Sequence, residues 1–268
     1  MSLCETKTFY EIINNAMKSK VEAVIINSMN LGEADKLVTF FSLERGKLKG
    51  VAKNARKSFR RFGAGLEMFT HCRLHLSERE HQELVRVESL DIISQPSGIS
   101  ADLERMAAGS VMLELVKEIA AEGDRNPSAF LLLVQTLQLL NEGADPCFLL
   151  KIFEIKFLSL LGFQPRLDHC LSCGRKPAGE MIFQGMKGGI LCPDCMVSSG
   201  EPQVKLSPGA VGFYYHALRM EMDKVCRLKP SPGIMGELNE VFSAHTFHII
   251  GKRLKSAEFL RSLASIQF

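Results

Sequence analysis

Four cysteines arranged as two close pairs constrain this chain more than any other feature of its sequence. Cys170, Cys173, Cys192 and Cys195 have the spacing C-x2-C-x18-C-x2-C. Each pair places two thiolates on a tight turn, and the intervening segment is long enough for a hairpin that brings the pairs together. The pattern predicts one zinc ion with four cysteine ligands. Because such a tetrahedral site leaves no position for water, we expect the zinc to be structural rather than catalytic.

Two other interpretations of these cysteines stay open at this point. The four could be unliganded thiols or redox-active pairs, although matched pairs with Gly174 and Pro193 beside them favour a metal site. His169 neighbours the first cysteine and could replace a ligand, although four thiols already complete the site. The other cysteines stand in unrelated contexts and are expected to be ordinary thiols: Cys4, Cys72, Cys147 and Cys226.

Length and composition are those of a globular protein, which could form one large domain or, more naturally, two or three small ones. The chain has 268 residues, of which 46% are hydrophobic and 24% charged, which argues against disorder and against a membrane protein. No run approaches the roughly 18 apolar residues of a membrane helix. Glu5, Lys7 and Glu11 stand where a signal peptide would be apolar. We therefore expect a cytoplasmic protein whose cysteines are thiols and metal ligands rather than disulfides.

The hydrophobic periodicity changes twice along the chain. Residues 1–19 form an extension in which apolar residues at helical spacing allow a short helix. Residues 20–95 show short alternating strands, which predict a small five-stranded antiparallel barrel. Residues 96–268 read as a helical domain with the cysteine module at about 163–202. The predicted strands are Val21–Ser28, Lys36–Ser42, Lys47–Ala52, Glu67–Leu76 and Glu83–Ile93, and the predicted helices begin near Leu103, Pro127, Pro146, Pro208 and Ser231, the last two running to Arg227 and Leu263.

The positive charge of the chain is concentrated in one segment of the predicted barrel. Residues 1–95 hold 15 Lys+Arg against 12 Asp+Glu, whereas the remainder is balanced, and residues 45–61 carry eight basic side chains and no acidic one. Cations that follow phosphates and aromatic rings that stack on bases are the parts of a single-strand binding groove. The predicted nucleic-acid contacts are Arg45, Lys47, Lys49, Lys53, Arg56, Lys57, Arg60 and Arg61, with Phe59 and Phe62 interleaved.

Two alternatives to this nucleic-acid interpretation remain open. The run of charge could be a solvated loop, although eight like charges without an acidic neighbour favour a polyanionic partner. Phe62 could plug the barrel instead of stacking on a base.

A metal-dependent nuclease that uses scattered carboxylates is the alternative function. The chain has no P-loop, no H-E-x-x-H or G-x-S-x-G motif and no Gly-rich dinucleotide loop. His71, His75 and His81 could form a second metal site, but are better interpreted as surface histidines.

Several short segments of the chain form a specific set through their order and spacing, although no single one is decisive. They are Gly32–Val38 (GEADKLV), Gly50–Ser58 (GVAKNARKS), Arg61–Gly63 (RFG), Cys170–Gly174 (CLSCG), Gly188–Cys192 (GGILC), Leu254–Ser256 (LKS) and Phe259–Leu260 (FL). Together they resemble the RecO family of bacterial recombination mediators over about residues 20–262. The extension of about 19 residues departs from the family, and we assign it no function.

The resemblance implies an α+β multidomain protein: an N-terminal OB-fold, a central helical bundle and a zinc module. It implies a non-enzymatic role in recombinational DNA repair, in which the protein binds single- and double-stranded DNA, anneals complementary strands and helps load the RecA recombinase. The implied partners are RecR, in some cases RecF, and the acidic, apolar tail of single-stranded DNA-binding protein (SSB). Some RecO-like chains lack the cysteines, which favours a structural role for the zinc. The implied location is the cytoplasm, at the nucleoid.

Overall fold

The computed structural model describes residues 17–78, 84–196 and 203–266. The short helix predicted within residues 1–19 lies outside them except for Met17–Ser19, which are in a strand. The described residues divide into two compact units. The first comprises those up to Pro96 together with 120–130, and the second comprises residues 97–119 and those from 131 onward.

Five strands of the first unit close into a barrel in the order β1-β2-β3-β5-β4. All neighbouring pairs are antiparallel except β3 and β5, which pair in parallel. This strand order confirms the predicted OB-fold. The strands are β1 (Met17–Leu31), β2 (Asp35–Ser42), β3 (Gly46–Ala52), β4 (His71–Glu78) and β5 (Val85–Ser94).

The length of β1 allows the barrel to close. Its first half, from Met17 to Val24, pairs with β4, and its second half pairs with β2 around a register shift between Ile25 and Asn27. Residues 17–19, predicted to belong to the extension, are therefore paired in β1.

The parallel pair of β3 and β5 closes the barrel at Gly50, where a Cβ atom would lie 2.9 Å from Cγ2 of Val87. A glycine is needed there because the two strands approach so closely.

Alternating side chains of the strands fill the barrel, and one short helix closes it. Val21, Ala23 and Ile25 of β1 point inward, as their alternation predicts. Between β3 and β4, helix α1 (Phe59–Phe62) places Phe62 in the same core, with 2% of its surface exposed. Phe62 therefore plugs the barrel, which was the alternative left open by the sequence, and its ring is not available to stack on a base.

Helices dominate the second unit. They are α2 (Ser97–Ser100), α3 (Leu103–Ile119), α4 (Pro127–Asn141, whose first residues belong to the first unit), α5 (Pro146–Leu160), α6 (Pro208–Arg219), α7 (Met222–Val225), α8 (Pro232–Ile250) and α9 (Lys255–Ile266). Four of them start at a proline preceded by a capping residue. The side chains of Asn126, Asp145, Ser207 and Ser231 accept a hydrogen bond from the backbone amide of the third residue of α4, α5, α6 and α8, respectively.

Two long helices expected from the periodicity are each divided in two. The helix predicted to reach Arg227 ends at Arg219, because Met220 and Glu221 have extended backbone angles before α7 begins. The helix predicted from Ser231 to Leu263 is interrupted at Gly251, which has a left-handed φ of 76° and donates its amide to the carbonyl of Phe247 at 2.8 Å. Glycine commonly ends helices in this conformation, whereas apolar periodicity does not detect it.

The cysteine module is built on a small antiparallel sheet. Strands β6 (Met181–Gln184), β7 (Gly189–Leu191) and β8 (Val204–Leu206) pair in the order β7-β6-β8. The β6–β7 hairpin connects the two cysteine pairs, as their spacing predicts. A barrel followed by a helical region with a cysteine cluster confirms the predicted fold class.

Candidate metal centre and nucleic-acid interface

Two tight turns present the four cysteines to a common point. The amide of Gly174 donates to the carbonyl of Cys170 at 2.9 Å, and the amide of Cys195 donates to that of Cys192 at 3.0 Å. Gly174 has a φ of 73°, a left-handed angle that favours glycine after such a turn. The sulfur atoms of the two pairs therefore come together in one place.

The geometry of the cysteine cluster fits a tetrahedral metal ion. The four Sγ atoms lie within 4.8 Å of one another, and those of Cys173 and Cys192 are 3.7 Å apart. A tetrahedral zinc ion with Zn–S bonds of about 2.3 Å requires sulfur atoms about 3.8 Å apart. Cys170, Cys173, Cys192 and Cys195 can therefore hold one metal ion, and the all-thiol donor set is compatible with zinc.

The surroundings of Cys170 favour the thiolate form that a metal needs, whereas hydrogen bonds with Cys192 and Cys173 raise the pKa of Cys195 to about 12. Burial acts to raise the pKa of Cys170, but the backbone amides of Cys173, Cys192 and Ser172 outweigh it and lower the pKa to about 6. The amide of Cys192 lies 3.4 Å from Sγ of Cys170. His169 is not a member of the cluster, since its Nδ1 donates to Asp168 at 2.8 Å.

The cysteines predicted to be ordinary thiols lie outside this cluster where the structure describes them. Cys72 is buried in the barrel, where desolvation raises its pKa to about 12. Cys147 is exposed and Cys226 is partly exposed. Cys4 lies outside the described residues.

The basic segment runs from Arg45, in the turn before β3, along β3 and the loop after it to α1. Several of its cations have carboxylate partners. Arg45 forms a bidentate pair with Glu78, Lys49 pairs with Glu122, and Lys53 pairs with Asp35 at 2.7 Å. Lys47 is buried, with 8% of its surface exposed. The partner carboxylates belong to residues outside 45–61. The segment therefore lacks acidic residues in sequence but has them as neighbours in the folded chain.

The remaining cations lie together on the loop and on α1. Among the described residues, none has a carboxylate within salt-bridge distance of Arg56, Lys57, Arg60 or Arg61. Phe59 stands among them with 86% of its surface exposed. An exposed aromatic ring between uncompensated cations can stack on a base while the cations contact phosphates.

Hydrogen bonds attach this loop to the β1–β2 turn. Arg56 donates from its backbone amide to Ala34 and from Nη1 to the carbonyl of Glu33, at 3.0 and 2.9 Å. Arg61 donates from Nη2 to the carbonyl of Lys53 at 2.7 Å, and its guanidinium lies 4.9 Å from the ring centroid of Phe62. Neutral carbonyl partners fix these guanidinium groups without cancelling their charge.

Sequence reasoning missed further cations on the outer surface of the barrel. Lys18 and Lys20 of β1 and Arg73 of β4 are exposed. These cations alternate along their strands with side chains that point into the barrel, and this alternation in the sequence could have identified them as outward-facing. Glu22 and Asp91, which accept hydrogen bonds from His71 and His75, lie on the same surface and reduce its net charge.

The histidines and carboxylates do not form a second metal site within the described residues. His71 and His75 each contact a different carboxylate, at 2.9 Å in both cases. In residues 17–78, 84–196 and 203–266, the cysteine cluster is the only group of three or more potential ligands close enough to share an ion. His81 lies outside these ranges.

A cleft of about 250 Å³ lies between α5, α8 and α9 of the second unit. Its lining combines apolar side chains such as Leu254 with the cations Lys252, Arg253 and Arg261. At its base, Lys151 forms a buried ion pair with Glu154 and lies 4.9 Å from the ring centroid of Phe242. The cleft therefore offers apolar contact beside positive charge.

Among the described helices, none is both long and apolar enough to cross a membrane.

Comparison with known proteins gives a consistent result over both units. Residues 17–96 match the family model "Recombination protein O N terminal", and residues 100–258 match "Recombination protein O C terminal". The chain is 35% identical over 250 residues to "DNA repair protein RecO" of Symbiobacterium thermophilum, covering 91% of this chain and 97% of that protein. It is 32% identical to the protein of the same name from Anaeromyxobacter dehalogenans, with 93% and 98% coverage.

Proposed function

The chain belongs to the RecO family of DNA repair proteins, and on this premise we propose that it is a recombination mediator. It binds single- and double-stranded DNA without sequence preference, anneals complementary strands, and helps load RecA on DNA coated by SSB. It works in the cytoplasm at the nucleoid, and it performs these steps without catalysis of its own.

The exposed loop of the barrel carries this proposal. Arg56, Lys57, Arg60 and Arg61 have no carboxylate partner among the described residues, and Phe59 is exposed between them. In this proposal the four cations contact phosphates and the Phe59 ring stacks on a base. Arg45, Lys49 and Lys53 belong to the same interface, but each must first give up a carboxylate, so we assign them smaller contributions.

Annealing follows from charge neutralisation. Two DNA strands repel each other through their phosphates, and a cationic surface that displaces their counterions lowers this repulsion. Base pairing then supplies the free energy, so no nucleotide hydrolysis is needed. Because the contacts are to phosphate and to the faces of bases, they carry no sequence information.

We propose that the cysteine cluster holds one structural zinc ion. Four thiolates complete its coordination, so it has no open position for water or substrate. Its contribution is to connect the β6–β7 hairpin to the turns on either side, and thereby to stabilise the second unit.

We further propose RecR, SSB and in some circumstances RecF as partners. An acidic, apolar peptide such as the SSB tail needs a cation beside an apolar groove, and the cleft between α5, α8 and α9 offers Arg253 and Arg261 beside Leu254. Lys151 is engaged with Glu154, so the rim cations are the better candidates.

A single gel with labelled complementary strands tests the proposal against the nuclease alternative. A mediator converts the two strands to duplex faster than they anneal alone, and it leaves both intact in Mg²⁺ or Mn²⁺. A nuclease shortens them under the same conditions. Cleavage that copurifies with the protein, or annealing no faster than without it, would contradict the proposal.

A further inference from the structure

A second cleft lies beside the cysteine cluster and has no role in the function proposed above. One wall is the segment 167–177, which contains two of the cysteines and contributes Asp168, His169 and Lys176. The other wall is α6, which contributes Gly212, Tyr215 and Arg219. All of these residues belong to the second unit.

The charge of this cleft is positive. Lys176 and Arg219 are exposed and, among the described residues, neither forms a salt bridge. Asp168 is the carboxylate of the described lining, and it already accepts a hydrogen bond from His169 at 2.8 Å. The two uncompensated cations come from the two opposing chain segments.

Tyr215 is a firmly held aromatic surface in the same cleft. Its ring lies edge-on to that of Tyr214, with centroids 4.9 Å apart, and Tyr214 is itself fully buried. The guanidinium of Arg219 lies 5.8 Å from the Tyr215 ring centroid. One turn earlier on α6, a Cβ atom at Gly212 would meet nothing within 4 Å. The surface of α6 beside the ring is therefore open at Gly212.

We propose that this cleft is a second contact for single-stranded nucleic acid, which stacks one base on Tyr215 and places the adjoining phosphates on Lys176 and Arg219. An aromatic surface flanked by cations that lack carboxylate partners is the arrangement that binds single strands without sequence preference. The proposal rests on the DNA-binding function proposed above and extends it to the second unit. A chain with a contact in each unit neutralises more phosphates than the barrel loop alone.

Two substitutions and their matched controls test this proposal in the full-length chain. Tyr215→Ala removes the stacking surface, whereas Tyr215→Phe keeps it. Gly212→Met fills the open space beside the ring, whereas Gly236→Met adds the same side chain on α8, where a Cβ also meets nothing within 4 Å. The measurement is binding of a labelled oligothymidylate over a range of salt concentrations, with melting curves to check folding.

We expect Tyr215→Ala and Gly212→Met to weaken binding by about fivefold or more, because a stacked base is worth that much in single-strand complexes. Tyr215→Phe and Gly236→Met should bind as the wild type does. Lys176→Glu should lower the slope of log affinity against log salt by about 0.7, the loss of one phosphate contact. Unchanged affinity in Tyr215→Ala and in Gly212→Met overturns the proposal.

A barrel variant, Lys57→Glu with Arg60→Glu, separates failure of this proposal from failure of the proposed function. If the barrel variant loses affinity and the cleft variants do not, only the cleft proposal is wrong. If the cleft variants lose affinity and the barrel variant does not, the barrel assignment is wrong and the cleft stands. If Tyr215→Ala abolishes binding of a labelled acidic peptide but not of DNA, the cleft is a peptide site and the proposal is overturned.

Discussion

Nζ of Lys53 lies 2.7 Å from Oδ2 of Asp35. This ion pair connects the end of β3 to the start of β2 and lowers the pKa of the Asp35 carboxyl, chiefly through the hydrogen bond from Lys53. Lys53 therefore holds the basic loop in place, whereas Lys57 and Arg60 a few residues later project without a carboxylate partner among the described residues. Position in the tertiary structure thus separates cations that the sequence presents as equivalent.

Reversing two of the unpaired charges should weaken binding of single-stranded DNA. Lys57→Glu with Arg60→Glu removes two phosphate contacts, so the slope of log affinity against log salt should fall by about 1.4. Lys224→Gln on α7 is the control, because Lys224 is paired with Glu221 and lies outside the proposed DNA contacts, so it should change the slope little. Titrations at several salt concentrations measure both slopes, and equal slopes in the double variant and the wild type would sink the assignment.

The two phenylalanines of α1 should behave in opposite ways. Phe62→Ala leaves a cavity in the barrel core and should lower the free energy of unfolding by about 3–5 kcal/mol. Phe59→Ala removes an exposed ring, so stability should stay within about 0.5 kcal/mol while affinity for single strands falls about fivefold or more. Urea unfolding and oligonucleotide titration of both variants measure this. The stacking role of Phe59 is wrong if Phe59→Ala binds normally.

Removal of the metal should destabilise the second unit. Cys173→Ser should reduce bound zinc from about one ion per chain and lower the melting temperature by about 5 °C or more, because a structural site contributes folding free energy directly. Cys226→Ser, outside the cluster, should change neither quantity. Metal analysis and calorimetry before and after chelation check both. A wild-type protein that contains no zinc and melts unchanged with chelator contradicts the zinc site.

His245 should make stability depend on pH near neutrality. Burial lowers its pKa below the ordinary 6.5, although the hydrogen bond to the carbonyl of Phe163 acts in the opposite direction. The unfolded chain then binds a proton more readily than the folded chain. The stabilising contribution is therefore complete above pH 6.5 and is lost as the pH falls through that value towards the folded pKa.

The variant His245→Gln isolates this contribution. Its amide can still donate to Phe163 but does not titrate, so its stability should fall less than that of the wild type between about pH 7 and pH 5.5. Zinc release at low pH would lower the stability of both proteins equally. Its effect therefore cancels when the urea midpoint of one protein is subtracted from that of the other. Parallel curves for the two proteins over this interval would show that His245 does not titrate differently on folding.

The agreement between sequence and structure is best where a local rule applies. The predicted start of α3 at Leu103 matches the structure, and the caps at Asp145, Ser207 and Ser231 mark helix starts. The disagreement is greatest where the apolar periodicity continues across the end of a helix and does not reveal that end. An apolar helical run continues through Gly251 in sequence, although the left-handed glycine ends the helix there.

The cysteine spacing and the periodicity are properties of neighbouring residues. By themselves they determined a module of four clustered cysteines and a barrel followed by helices. The tertiary structure alone decided which cations of residues 45–61 remain uncompensated, because Glu78 and Glu122 reach Arg45 and Lys49 only after the chain has folded. It also decided that Phe62 fills the barrel while Phe59 faces solvent, and that Lys176 and Tyr215 line one cleft. Charge pairing and burial depend on distances in space, and no pattern along the chain encodes those distances directly.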